Sequence, residues 1–269
     1  MKLLSLLVEP RLRGVDITGP QRLPLHQKIL AEKKMIRAVF EEFYRTSLAL
    51  EAKHFGSTTG LRVEIGAGTS FFKSLQPDLI STDLEASPHL DMVVDAQRMP
   101  FENESVRTLF CINAFHHFPE PRKFFSEVMR VVRPGGGCII IDPAYGPVSD
   151  FLYRRLFSSE GYDRASTNWG YLPGADGQSL PNQALSFVVF IRDIEKLTRE
   201  FPALELVEKD VLPSYLEYLL SGGLNFRQLV ADWMQPGVRA LETALHPFRR
   251  QLGLHHFVVL RKSASAPAS

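Results

Sequence analysis

The run Val63-Glu64-Ile65-Gly66-Ala67-Gly68-Thr69-Ser70 decides how this chain is read. Leu61 to Ile65 reads as a strand that ends beside an acid, Glu64, and enters a glycine-spaced turn. A helix can start at Thr69. Gly66 and Gly68 allow the backbone to approach a ligand where a β-carbon would collide. A strand passing through a tight turn into a helix is the nucleotide-binding corner of an open α/β sheet. The spacing also excludes chemistry. The dinucleotide fingerprint needs a third glycine at its sixth place, and Phe71 stands there. No Gly-Lys-Ser or Gly-Lys-Thr is present, so a phosphate-cradling loop is excluded. A ligand with a nucleoside but no phosphate fits better.

Working outward, Asp78 to Thr82 reads as a second short strand, closed by Asp83 with Leu84 beside it. It lies roughly 20 residues past the first strand, where a carboxylate can accept both ribose hydroxyls. A third strand, Met92 to Val94, ends in Asp95-Ala96, a pair able to hold an adenine. A fourth, Val106 to Ile112, ends in Asn113-Ala114-Phe115-His116-His117. The spacing then predicts a helix over Pro121 to Val131. Arg133-Pro134-Gly135-Gly136-Gly137 follows, and then a fifth strand, Cys138 to Ile141.

In this order and spacing the chain resembles the class I S-adenosylmethionine-dependent methyltransferases. The resemblance rests on Glu64, Gly66-x-Gly68, Asp83, Asp95-Ala96, Pro100-Phe101, His116-His117 and Pro134-Gly135-Gly136, over about residues 60 to 143. One departure is Ser70, where many members carry a further glycine. The second half is similar to a group of uncharacterised bacterial methyltransferases. That likeness rests on Glu160-Gly161-Tyr162, Asn182 to Leu185, Arg192-Asp193, Glu200-Phe201-Pro202 and Tyr218 to Gly223.

The resemblance implies an α/β, doubly wound, Rossmann-like sheet of seven strands, the last antiparallel, and S-adenosyl-L-methionine as cofactor. It implies cofactor contacts at Glu64, Gly66, Ala67, Gly68, Asp83, Leu84, Asp95, Ala96, Asn113 and Ala114. His116 and His117 sit where the acceptor should approach, and a histidine there can serve as a base near neutral pH. Glu160 is an alternative base. No His/Asp/Glu spacing near the histidine pair suggests a metal site, so none is expected. His255-His256 reads as the start of the last strand. Tyr145, Tyr162, Trp169, Asn182, Tyr218 and Asn225 are acceptor-pocket candidates, since rings with a polar edge suit a sugar or an amphiphilic ring.

Composition agrees with an enzyme. The chain has 269 residues, 45% of them hydrophobic, with 31 basic and 30 acidic side chains. That balance creates no global field for nucleic acid, and no Asn/Asp-Pro-Pro-aromatic motif follows the fourth strand. The two cysteines, Cys111 and Cys138, read as buried core residues of adjacent strands. Met1 to Val8 is too short an apolar run for a signal or spanning segment. No stable membrane insertion and a cytoplasmic location are therefore expected.

Residues 1–58 read as an N-terminal segment and covering helix, 59–262 as the methyltransferase domain, and 263–269 as a disordered tail. The covering helix is expected from Leu25 to about His54, with Ile29, Ile36, Phe40, Phe43 and Leu50 at helical spacing. Insertions at about 143–185 and 213–250 read as lids, because long connections rich in glycine and aromatics tend to carry binding sites. Phe187 to Ile191 reads as a short extended piece, Arg192 to Phe201 as a helix. Leu204 to Val211 and Leu254 to Leu260 read as a closing antiparallel pair. The expected activity is methyl transfer to a small-molecule acceptor: a saccharide, a glycolipid precursor or a specialised metabolite. Alternatives are a quinone or lipid methyltransferase, or a cofactor-binding partner protein without chemistry.

Overall fold

The computed structural model describes residues 7–15, 22–69, 71–157, 160–173, 179–213 and 215–263. Ser70, Gly174, Gly177 and the tail beyond Ser263 lie outside the described residues, as do Met1 to Leu6. Nine strands are described: β1 (Leu61–Ile65), β2 (Leu79–Asp83), β3 (Met92–Val93), β4 (Val106–Ile112), β5 (Val132–Pro143), β6 (Leu172–Pro173), β7 (Ser179–Leu180), β8 (Leu204–Val211) and β9 (His255–Lys262). Seven form one sheet in the order β3-β2-β1-β4-β5-β9-β8. Strands β1 to β5 are parallel, and β9 runs antiparallel to both β5 and β8. The expected seven-stranded sheet with an antiparallel last strand is therefore present.

The central strands are apolar on both faces because both faces are covered. Side chains alternate between two cores. Leu109, Cys111, Cys138, Ile140, Val258 and Leu260 enter one, with Phe124, Phe125 and Val128 of helix Pro121–Val131. Phe110, Ile112, Ile139, Ile141, Phe257 and Val259 enter the other, with Val39, Phe43 and Leu50 of helix Lys34–Phe55. Both cysteines are buried and free.

One charged device ties helix to sheet. Glu51, buried on helix Lys34–Phe55, accepts hydrogen bonds from Arg62 Nε on β1 (2.9 Å) and Thr108 Oγ1 on β4 (2.8 Å). Thr108→Val removes a donor to a buried carboxylate and is expected to cost about 1.5–3 kcal/mol. A lower urea midpoint with an unchanged slope would show it.

Three local expectations are corrected. The covering helix is two helices, Arg22–Glu32 and Lys34–Phe55, broken at Lys33, whose backbone is extended. Lys33 is buried; its ammonium donates to the carbonyls of Ser221 (3.5 Å) and Gly223 (3.2 Å) and pairs with Glu9 (3.1 Å). Phe187 to Ile191 is helical, Leu185–Phe187 running into a π-turn, Val188–Arg192. Val188, Val189 and Phe190 are fully buried, and a continuous apolar run does not distinguish strand from helix. The helix after the glycine turn begins at Phe72, not Thr69.

Candidate active site

The parallel register brings the carboxyl ends of β1, β2 and β4 to one edge, with Ile65 beside both Thr82 and Cys111. The strands therefore release Gly66, Leu84 and Asn113 at the same rim, with Asp83 as the last residue of β2. Gly66 has φ 69°, and a β-carbon there would stand 2.5 Å from Ala114 Cβ. Gly68 has φ 54°, and its N–H donates to Asp83 Oδ2 at 2.7 Å. Both glycines thus occupy the left-handed region that side chains disfavour. Asp83 Oδ1 accepts the Glu85 N–H at 3.1 Å, and Leu84 is 69% exposed beside it. Glu64 is buried under the turn, and its carbonyl accepts Thr82 Oγ1 at 2.7 Å. Asp95 caps its own turn through the Gln97 N–H at 2.8 Å, and Ala96 is buried behind it.

Asn113 closes β4 with φ 52°, a strained conformation that Asn tolerates better than most residues. Its N–H still reaches Ile141 O at 2.7 Å. A 3-10 turn, Phe115–His117, follows. Phe115 enters the aromatic core against Phe190, with ring centres 4.9 Å apart. With Phe115 anchored, His116 reaches the end of β5. Its Nδ1 donates to Asp142 Oδ1 at 2.7 Å, and its Nε2 lies 3.3 Å from Glu160 Oε2. His117 Nε2 lies 3.7 Å from Glu160 Oε1, and the two imidazole centres are 4.2 Å apart.

The electrostatics separate these groups. Burial works to strip the proton from His116, but Asp142 and Glu160 outweigh it and raise its pKa to about 10. Burial would lift Glu160, yet His116 and then His117 hold it down near 2. Burial and the neighbouring His116 charge push His117 below its ordinary value. Burial pushes the Asp142 carboxyl up, against the pull of His116. At neutral pH His116 is an imidazolium with both nitrogens protonated, so it positions Glu160 rather than accepting a proton. His116, His117 and Glu160 present donor atoms within 4.8 Å of one another. Glu160 reaches the histidines from the 143–185 segment rather than from the nearby spacing on which the expectation of no metal rested. A cation there would have to displace the proton that His116 shares with Glu160.

Asp142 was not singled out from the sequence. Its signal was an acid immediately after the predicted fifth strand, level with Asn113. The other candidates scatter. Trp169 is buried in the core and donates to Asp193 at 2.9 Å. Asn182 pins the 143–185 segment by accepting the Asp163 N–H (3.0 Å) and donating to Asp163 O (3.0 Å). Tyr162 bonds Asp150 and stacks on Tyr153. Tyr218 lies edge-on to His255, with ring centres 4.6 Å apart, and the Asn225 carbonyl accepts the Glu9 N–H at 3.0 Å. Tyr145 packs edge-on to His256, 5.2 Å away. A cavity of about 530 Å³ lies elsewhere, between Glu41, Arg45 and Arg239, and includes none of the strand-end residues.

His255 and His256 are buried on β9, and His256 meets Ser186 Oγ at 2.7 Å. Burial first, then neighbouring positive charge, pushes both rings down to about 3. The unfolded chain protonates these rings near pH 6.5. Stability present above that pH is therefore lost as pH falls toward 3, by up to about 1.4 kcal/mol per pH unit for each ring. Denaturant midpoints at about pH 7.5 and pH 5 should show a steep fall that His256→Gln makes shallower.

Residues 63–140 match the family described as a methyltransferase domain. Over 81 residues the chain is 46% identical to the phthiotriol/phenolphthiotriol dimycocerosates methyltransferase of Mycobacterium tuberculosis, covering 30% of this chain and 27% of that protein. Over 151 residues it is 29% identical to the fatty-acid O-methyltransferase of Mycolicibacterium smegmatis, covering 55% of this chain and 43% of that one. The matches thus span about a quarter to under half of these relatives. In fold it is similar to phosphoethanolamine N-methyltransferase 2 of Haemonchus contortus, with a TM-score of 0.50 and 14% identity, covering 94% of this chain and 59% of that one. Sheet order and strand-end turn define an α/β protein with a glycine-spaced turn and strand-end acids at the carboxyl rim. Over residues 63–140 the chain is similar to a methyltransferase domain, and its fold is similar to that of an N-methyltransferase.

Proposed function

We propose that this chain binds S-adenosyl-L-methionine at the strand ends and methylates a hydroxyl of an apolar, lipid-like acceptor. The observation that carries the reading is the buried His116–Asp142 pair holding Glu160 beside the fourth strand's end. Asp83 offers a carboxylate to the ribose hydroxyls, Asp95 and the Ala96 N–H face the adenine, and Gly66 and Gly68 clear the path of the amino-acid part. Glu64, Asn113 and Ala114 shape the wall near the sulfur, and Leu84 gives an apolar surface beside the ribose. When bound, the cofactor supplies an electrophilic methyl group on a sulfonium.

The protein's task is alignment, which can supply roughly 7–11 kcal/mol, and removal of the hydroxyl proton. Glu160 accepts that proton in a unit coupled to both histidines. His116, fixed by Asp142, holds the carboxylate in place. A hydroxyl acceptor accords with this cluster, because a base is needed when the attacking atom carries a proton. An apolar acceptor accords with the lipid-related relatives. The remaining acceptor classes, saccharides and quinones, enter the same test. A screen with labelled methyl groups over long-chain alcohols, fatty acids, phenols and sugars should return label only in acceptors with a free hydroxyl and an apolar body. Label in sugars alone, or in amines alone, would overturn the acceptor reading. The segment that brings Glu160 to the histidines, pinned where the Gly161 N–H donates to Pro181 O (3.0 Å), is proposed as the lid over that acceptor.

A further inference from the structure

Helix Gln235–Leu245 packs on the body through one side, where Val238 and Glu242 are buried. At about 100° per residue, Gly237, Ala240, Leu241 and Ala244 fall within an arc of about 100° on another side, and Trp233 and Phe248 stand in the 3-10 turns Asp232–Met234 and His246–Phe248 that flank the helix. All six are exposed, Trp233 at 80%, Phe248 at 54% and Leu241 at 53%. No polar side chain falls within that arc. The polar flank, Arg239, Thr243 and His246, turns instead to the cavity lined by Glu41 and Glu42. Exposed large side chains scattered singly need no explanation, but Trp233, Leu241 and Phe248 are gathered along one short stretch with only small residues between them on the helix face.

We infer that this stretch docks on an anionic lipid surface. Charge chooses this occupant over a neutral one. Arg227 and Arg250, which flank this stretch in the chain before Trp233 and after Phe248, are exposed. Of the acids in the same stretch, Glu242 is buried and accepts the Glu217 N–H (2.9 Å), and Asp232 is half-buried and accepts from Gln228 (2.7 Å). The helix Arg249–Leu252 packs against helix Pro147–Arg155, which adds Phe151, 62% exposed, with Arg154 and Arg155 also exposed. Apolar anchors flanked by arginines, with a tryptophan at one end, are the composition of an interfacial helix. The inference stands apart from methyl transfer, because vesicle binding needs neither cofactor nor acceptor.

The test uses the full chain and its tryptophan emission, with vesicles of phosphatidylcholine with or without phosphatidylglycerol. Trp169 is buried and Trp233 exposed, so a shift on binding reports Trp233. The inference expects a blue shift with the anionic vesicles and binding at least about tenfold tighter than to neutral ones at low salt. Leu241→Glu, with an unchanged circular dichroism spectrum, should weaken binding at least about tenfold. Trp233→Phe should abolish the shift while the protein still sediments with the vesicles. No shift with either vesicle, or equal binding to both, would overturn the inference. So would a wild type that sediments as a dimer and a Leu241→Glu variant that sediments as a monomer, because the stretch would then meet a second copy.

Discussion

Glu160→Gln is expected to slow methyl transfer about 10²–10⁴-fold, while the affinity for S-adenosylhomocysteine changes by less than about threefold. The amide keeps the size and one oxygen but cannot take the acceptor's proton. His116→Asn should also slow transfer, because it removes the imidazolium that holds the carboxylate. The pH profile separates the two roles. A histidine acting as the base would give an inflection near 6.5. Here the His116 proton is held until about pH 10 and Glu160 stays ionised down to about 2. The rate with the screened acceptor should therefore be flat through neutrality. It should fall as the pH approaches 10, where His116 deprotonates and releases Glu160. In Asp142→Asn one of the two carboxylates on His116 is gone, so that fall should move to lower pH. An inflection near 6.5 in the wild type would assign the base to a freely titrating histidine instead.

The second large effect concerns Asp83. Its carboxylate already accepts the Gly68 N–H and is placed at the rim where the ribose would lie. Hydrogen bonds to a charged group contribute about 1.5–3 kcal/mol each. Losing two to the ribose should weaken S-adenosylhomocysteine binding by roughly 10²–10⁴-fold in Asp83→Ala. Asp83→Asn keeps an oxygen for the turn and should recover part of the loss. Equal loss in both variants points to the paired hydroxyls; full recovery in Asn points to the turn alone. An affinity unchanged in Asp83→Ala would remove Asp83 from the site.

Legibility in the sequence followed the range of the interactions. Strands β1, β2 and β4 and the helix Pro121–Val131 were readable because each is a local pattern of apolar residues between breakers. The strand-end rim was readable because Gly66, Asp83 and Asp95 each stand at or just past a strand's end, and parallel strands bring their ends together automatically. The helix break at Lys33 was hidden, since its cause is a set of carbonyls about 190 residues away. The 187–191 run was misread because Val188 to Phe190 are buried whichever way the backbone winds. Glu160 could be named as a candidate, but its meeting with both histidines depends on the path of an insertion whose ends close through Gly161 and Asn182. Asp142 went unnoticed for a simpler reason: its role exists only through His116, 26 residues earlier in the chain.

The strand rim is proposed as a nucleoside site for S-adenosylmethionine. Calorimetric titration of the folded wild type with S-adenosylhomocysteine, with NADH as the rival ligand, tests it most directly. Binding in the roughly micromolar range for the first and none for the second is the predicted result. No binding of S-adenosylhomocysteine, or a preference for NADH, would contradict the claim and leave the resemblance as one of fold alone.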